Sequence, residues 1–235
     1  MNRILAVSPH LDDAVFSAGG TLARHSAAGD DVTVLTCFTG NIDRPSGFAL
    51  ACQLDKGLSP EIDYMALRRA EDEAACRAIG ASAVHLSFLE APHRGYESPT
   101  ALFGARRADD RVDELVEELR RQFARLEPDL IYGPYGIGNH VDHDLVNEAL
   151  EEARGRVPVI LWEDFPYAMR ERTAPAEISR RELGSAEAEA KLAGVLTYES
   201  QLGFQFGSPE EAARILSEWT SEGFTEPLPW VASDH

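Results

Sequence analysis

Hydrophobic and polar positions along the chain alternate between two periods. Short, nearly continuous apolar runs at Ile4–Ser8, Asp31–Phe38, Ala83–Leu89, Asp129–Gly133 and Val157–Trp162 predict strands buried on both faces. Between them the spacing turns helical: Ala14 to Ala28, stopped at Gly29; Asp63–Ile79, stopped at Gly80; and Asp109–Leu126, whose stripe is Val112, Leu115, Val116, Leu119 and Phe123. A further helix is predicted over Val141–Ala153, and the last third adds helices near Ser185–Leu196 and Pro209–Glu222 before a tail ending PLPWVASDH. Asn41–Pro60 and Glu90–Arg106 hold prolines and glycines with no sustained period, and read as long loops able to cover a site. Strands alternating with helices predict an α/β protein: a three-layer α/β/α, Rossmann-like fold with a mostly parallel sheet. With no internal repeat and no linker-like stretch, residues 1–235 read as one domain.

Charge narrows the partners. With 22 Lys+Arg against 40 Asp+Glu, the 235-residue chain carries a net −18, much of the excess lying in the helix from Asp109 and the tail from Pro209 to His235. Such a field repels nucleic acid and anionic membrane surfaces, and suits a neutral or cationic small molecule better than a phosphorylated one. Cys37, Cys52 and Cys76 have no CxxC spacing, so neither a disulfide framework nor a Cys-rich zinc site is expected, and a reducing cytoplasm is. The opening MNRILAVSPHLDDA is too short in apolar length for a signal peptide, and no run approaches the ~20 residues that span a bilayer.

In open α/β sheets ligands sit at the carboxyl ends of the strands. Two polar clusters fall there, Pro9-His10-Leu11-Asp12-Asp13 after the first strand and Asn139-His140-Val141-Asp142-His143 after the strand ending at Gly133. His10 and Asp13, three apart at a helix start, share a face, and His143 can join them from the second loop. Two imidazoles and a carboxylate leave positions open for water and substrate, a ligand set used by zinc hydrolases and by non-haem iron oxygenases alike. Asp12 and His140 are then free for proton transfer and oxyanion stabilisation, the parts of a metal-dependent amide hydrolase. The plainer alternative is that Asp12 or Asp13 caps the first helix and Asp142 the later one.

These residues carry a resemblance. SPHLDDAVFSAGGTLA resembles the PH-x-DD opening motif of the PIG-L/LmbE-like deacetylases, and GNHVDHDLVNEAL resembles their H-x-DH motif running into a helix. Arg68-Arg69-Ala70-Glu71, followed by Ala74 and Ile79-Gly80, resembles the family's R-x-x-E helix. The resemblance implies a zinc enzyme, or one using another divalent metal, that removes acetyl from N-acetylglucosamine-type sugars and small glycoconjugates. It implies His10, Asp13 and His143 as metal ligands and Asp12 as general base. His140 would stabilise the oxyanion and assist the leaving amine, Asp142 would orient His140 or another member of the site, and Arg68 would reach a sugar hydroxyl. Some members carry a tyrosine two residues before the oxyanion histidine; that position here is Gly138, and Tyr135 is the candidate substitute.

Three rivals keep parts of this picture: an amidase of thiol–sugar or antibiotic–sugar conjugates, an iron oxygenase, and a non-catalytic sugar-binding module. A homo-oligomer is compatible with the sequence. Glu90 and Arg94 read at least as readily as solvated loop residues. Phe48, Tyr96 and Phe103 read equally as sugar-stacking rings or as pins for their loops, and Trp162-Glu163-Asp164 reads first as a strand end with a core tryptophan. Gly19-Gly20, inside a helix, implies close packing against the sheet.

Overall fold

A computed structural model describes residues 1–170 and 175–228; the end of the PLPWVASDH tail, residues 229–235, lies outside the described residues. Seven strands form one sheet: β1 (Arg3–Ser8), β2 (Asp31–Thr36), β3 (Ser82–His85), β4 (Leu130–Pro134), β5 (Val159–Trp162), β6 (Ser179–Glu182) and β7 (Ser221–Phe224), in the order β3-β2-β1-β4-β5-β7-β6. The first five pair in parallel, and β7 and β6 add an antiparallel edge. β1 shows why the sheet needs cover on both faces: Ile4 and Ala6 pack into one core, Leu5 and Val7 into the other. The first core is closed by α1 (Asp13–Ala27), α3 (Tyr64–Ala78) and α7 (Ser185–Val195), with α8 (Glu199–Phe206) and α9 (Pro209–Glu218) beside them. The second is closed by α5 (Val112–Leu126) and α6 (Val141–Ala153), α5 inserting Leu115, Val116, Leu119 and Phe123.

The strand order matters for function. Sequential strands run outward from β1 through β2 to β3, and the chain then crosses back to lay β4 on the other side of β1. That reversal opens a crevice at the carboxyl ends of β1 and β4, the usual ligand position in such sheets. Both polar clusters begin there.

Several elements depart from the sequence expectation. Asn41–Pro60 is not loop throughout but contains α2 (Gly47–Leu54), a short helix of small and apolar residues without a polar face to give it a period. The strand expected over Ala83–Leu89 ends at His85, and only isolated contacts (Phe38 with Ser87) continue it. In the last third α8 was not anticipated, and residues 221–224 form β7 rather than extending a helix to Glu222. Gly19 and Gly20 do mark close packing, but the partners belong to the last third: a Cβ on Gly20 would meet Leu183 Cδ2 at 2.7 Å, and one on Gly19 would meet Lys191 Cγ at 3.4 Å. Trp162 is fully buried in the core, as expected. Among the described residues no helix is long and apolar enough to cross a membrane.

One buried ion pair locks the last third to α1. Lys191 Nζ donates to Glu222 Oε1 at 2.9 Å, and the same carboxylate accepts from Gly20 N and Thr21 N, both at 2.9 Å, and from Thr21 Oγ1 at 2.5 Å. Removing one partner leaves the other charge buried and uncompensated, which costs about 3–5 kcal/mol. Lys191→Met is therefore expected to lower the free energy of unfolding in urea by about 3 kcal/mol. A loss below about 1 kcal/mol would mean that Glu222 finds compensation elsewhere.

Candidate metal centre and active site

The crevice gathers side chains from four places. His10, Asp12 and Asp13 lie where β1 turns into α1, and His140, Asp142 and His143 lie at the start of α6. Arg68 reaches in from α3, and Asp164 follows β5. Neither aspartate of the first cluster caps α1 with its side chain. Asp13 turns back instead, accepting from the His10 backbone N–H at 2.9 Å and lying 3.0 Å from His10 Nδ1. At α6 the cap is His140, not Asp142: the Asp142 N–H donates to His140 Nδ1 at 3.2 Å.

Each proposed imidazole ligand has one nitrogen held by a carboxylate and the other turned inward. His10 Nε2 lies 2.8 Å from Asp142 Oδ2, and His143 Nδ1 lies 2.8 Å from Asp164 Oδ1. These two carboxylates are themselves fixed. Asp142 accepts from Ala91 N at 3.0 Å and from Arg94 Nη1 at 2.7 Å, and Asp164 accepts from Gly136 N at 2.7 Å and Ile137 N at 2.9 Å. Carboxylates in this position orient metal-binding histidines and raise their basicity.

The inward atoms, His10 Nδ1, His143 Nε2 and an Asp13 oxygen, converge within 4.8 Å of one another. His143 Nε2 is buried with no hydrogen-bond partner among the described residues; it sits 3.2 Å from Asp13 Oδ2, out of line for a hydrogen bond. A buried ring nitrogen without a partner is costly, and a cation bound there would satisfy it. The donor set, two imidazoles and a carboxylate, fits zinc and neighbouring divalent metals. A second grouping, His10 with His140 and Asp142, is equally close-set. There, however, His10 Nε2 is already paired with Asp142 and His140 Nδ1 with a backbone N–H.

Electrostatics separate the remaining groups. Burial works against charge on His10, but its hydrogen bonds to Asp13 and Asp142 prevail and raise it to about 9; His143 is likewise held protonated by Asp13 and Asp164 against its burial. Asp13 and Asp142 are both held ionised against burial, Asp13 chiefly by His143 and His10 and Asp142 chiefly by His10. Asp12 behaves oppositely: burial, then the charge of Asp13, push it up to about 7 despite Arg68. Burial drives His140 down to about 3, so its ring is neutral, and the bond received at Nδ1 places its proton on Nε2.

These contacts bear on the roles expected from the sequence. The Asp142 side chain orients His10, and only its backbone touches His140. Arg68 lines the cleft; it is buried, paired with Glu90, donates to Leu11 O at 3.2 Å and lies 3.6 Å from Asp12 Oδ2, while its Nε has no hydrogen-bond partner among the described residues. Glu90 and Arg94 are parts of the site rather than solvated loop residues: one holds Arg68 and the other joins Asp142 to Asp110 at 3.1 Å. Tyr96 is buried with its hydroxyl 2.7 Å from Asp110, a pin for its loop, whereas Phe103 is 43% exposed and sets its edge on His140 at 5.3 Å.

Tyr135 faces Glu177, 3.4 Å away, and does not line the cleft; beside the histidines it is Tyr167 that does, its ring 5.3 Å from His143. At Gly138 the backbone is left-handed (φ +92°), and a Cβ would stand 3.1 Å from Tyr167 Cδ1, so Tyr167 fills the space in front of that position. Tyr167 and Asp164 both follow β5, beyond either histidine cluster, and the Trp162-Glu163-Asp164 strand end was the one signal for them.

Two outcomes follow for metal binding. Asp164→Ala, which frees His143 to rotate, is expected to weaken zinc binding by about 10–100-fold in a chelator competition, and unchanged affinity would contradict the orienting role. Because His10 is raised to about 9, its charge stabilises the metal-free fold below about pH 6.5, and that stabilisation fades as pH climbs through 9. Metal must displace this proton and that of His143, so affinity should rise with pH from neutral through about 9, where His10 loses its proton. Calorimetry in buffers of different ionisation enthalpy should read about two protons released per metal at pH 7. Release of none would place the metal elsewhere.

The chain is similar to known proteins in both sequence and fold. Residues 5–154 match the PIG-L family, described as GlcNAc-PI de-N-acetylase. The chain is 32% identical over 215 residues to 2'-N-acetylparomamine deacetylase of Streptomyces fradiae, covering 85% of this chain and 73% of that one. It is 33% identical over 163 residues to 1D-myo-inositol 2-acetamido-2-deoxy-alpha-D-glucopyranoside deacetylase of Corynebacterium glutamicum (strain R), covering 68% of this chain and 55% of that one, so it spans about half of that relative. Among solved structures, the zinc-inhibited form of teicoplanin deacetylase Orf2 superposes with a TM-score of 0.83 at 28% identity, over 98% of this chain and 100% of the other. On its matched residues and its fold, the chain belongs to the PIG-L family of N-acetyl-sugar deacetylases.

Proposed function

We propose that the protein is a zinc-dependent hydrolase that removes the N-acetyl group from an N-acetylglucosamine-type sugar within a small glycoconjugate. His10, Asp13 and His143 would hold the metal. A divalent cation there supplies a Lewis acid that acidifies water and polarises the acetyl carbonyl. The observation that carries the reading is the division of labour beside that donor set: buried Asp12, 3.6 Å from the Arg68 that Glu90 anchors, and His140, which accepts the Asp142 N–H at Nδ1 and so keeps its proton on Nε2.

Asp12 takes the proton from the attacking water, its raised affinity matching a base that works near neutral pH. Arg68, 3.6 Å away and anchored by Glu90, holds that carboxylate in place. The tetrahedral oxyanion receives a hydrogen bond from His140 Nε2–H, preset by the cap bond at Nδ1. A ring that stays neutral at physiological pH is a poor acid, so the proton collected by Asp12 passes to the departing amine. Acetate and the free amino sugar are the products. An oxygenase would have no use for this pairing of base and oxyanion donor, which favours hydrolysis over the iron alternative.

Relatives named for N-acetylparomamine and for a GlcNAc-inositol support a glycoconjugate substrate. The test is acetate release from N-acetylglucosamine, N-acetylparomamine, N-acetylglucosaminyl-inositol and N-acetylglucosaminyl glycopeptides by the zinc-loaded protein. Release from at least one supports the reading, and release from none contradicts it. Asp12→Asn, nearly isosteric and unable to take a proton, is expected to lose about 10²–10⁴-fold in kcat while still binding zinc. A zinc-loaded Asp12→Asn enzyme with normal turnover would show that another group is the base.

A further inference from the structure

The cleft extends outward from the metal centre to a second, chemically different end. That end is lined by Lys56, which follows α2, by Tyr64 at the start of α3, and by Gln201, Phe204 and Gln205 of α8. The chain has only two lysines, Lys56 and Lys191, and their situations contrast. Lys191 is buried and neutralised by Glu222. Lys56 is half-buried and, among the described residues, has no ion pair, although the chain carries 40 acidic residues. One of its N–H groups donates to Cys52 O at 2.9 Å. Its ammonium lies 4.5 Å from the centre of the Phe204 ring and 5.6 Å from that of Tyr64. Phe204 is 57% exposed at the cleft mouth, a large apolar ring left in water.

A partly desolvated cation without a counter-ion is unfavourable, and the aromatic faces offset only part of that cost. Burial, then the charge of Arg68, pull the Lys56 ammonium below its ordinary value despite the opposing charges of Glu90 and Asp12, neither of which is close enough to form an ion pair. An incoming anion would reverse this. The net −18 of the whole molecule argues for neutral or cationic ligands, but exposed charges are screened beyond about 8 Å at physiological salt, so the groups lining the cleft decide.

We propose that this outer end is a subsite for an anionic group of the substrate, a carboxylate or phosphate, with Lys56 as its counter-ion and Phe204 stacked on the ring that bears it. The proposal rests on the deacetylase reading and narrows its substrate class to acidic glycoconjugates. Gln205 borders the same space and offers neutral hydrogen bonds to the hydroxyls around that group, while Gln201 is buried with its amide N–H groups on Tyr64 and Ser200.

The test uses matched substrates with the zinc-loaded full chain. One pair places the charge on the aglycone, 4-carboxyphenyl against 4-(hydroxymethyl)phenyl N-acetyl-β-glucosaminide. The other places it on the sugar, N-acetylglucosamine 6-phosphate against N-acetylglucosamine. The wild type is expected to favour the anionic member of one pair by at least about tenfold in kcat/KM, and the pair that responds tells where the charge sits. Lys56→Met should bring that ratio close to one, and Lys56→Arg should keep most of it. Phe204→Ala should lower the advantage of the aryl pair. Calorimetric binding of the same compounds to zinc-loaded Asp12→Asn gives the preference without turnover. Failure of every compound to release acetate would count against the deacetylase reading, while the binding preference would still judge the subsite. Equal treatment of both members of both pairs by the wild type, or a preference that Lys56→Met leaves intact, would overturn the proposal.

Discussion

The site depends on a buried carboxylate shared between two imidazoles. Asp13 Oδ2 lies 3.0 Å from His10 Nδ1 and 3.2 Å from His143 Nε2; Asp13 and His143 are buried, and His10 is only partly exposed at the cleft. Charges in such a place must be compensated on every side. The surrounding structure provides this: Asp142 and Asp164 take the outer nitrogens of the two rings, Arg94 and the Ala91 N–H hold Asp142, and the Gly136 and Ile137 N–H groups hold Asp164. The crossover that sets β4 beside β1 is what brings these groups, distant in sequence, to one crevice.

The same arrangement divides the acid–base labour. Asp13 and Asp12 are adjacent in sequence, yet Asp13 is held ionised by the histidines while Asp12 is pushed up by burial and by Asp13 itself. Neighbouring carboxylates driven apart in proton affinity are a recurring way to obtain one ligand and one base from similar chemistry. His140 stands apart from both other rings because burial keeps it neutral, and the helix-capping N–H received at Nδ1 fixes its remaining proton on Nε2.

Much of this was legible in the sequence, for identifiable reasons. The apolar runs predict the parallel strands because those strands are buried on both faces, and His10, Asp12, Asp13, His140, Asp142 and His143 cluster at strand ends where polar groups need a purpose. What was not legible depends on contacts across long sequence separations. Asp164 follows β5 in a segment that looks like an ordinary strand end, and only the fold sets it against His143. Glu90 and Arg94 lie in a stretch without periodicity, so their burial against Arg68 and Asp142 had no local signature. Residues 221–224 are too polar and too short to read as a strand, since Glu222 is made tolerable in the interior by Lys191, thirty-one residues away. Arg68 was visible, but its commitment to Glu90 and Asp12 was not.

The chemistry of the site turns on which residues hold the metal, because the described residues offer two overlapping groupings that share His10. Anomalous diffraction from crystals of the zinc-loaded protein, collected on both sides of the zinc absorption edge, separates them directly. A single strong peak is expected, bounded by His10 Nδ1, an Asp13 oxygen and His143 Nε2, with Asp142 remaining on His10 Nε2. A peak among His10, His140 and Asp142 would contradict it, since His140 would then be a ligand and could not serve as the oxyanion donor.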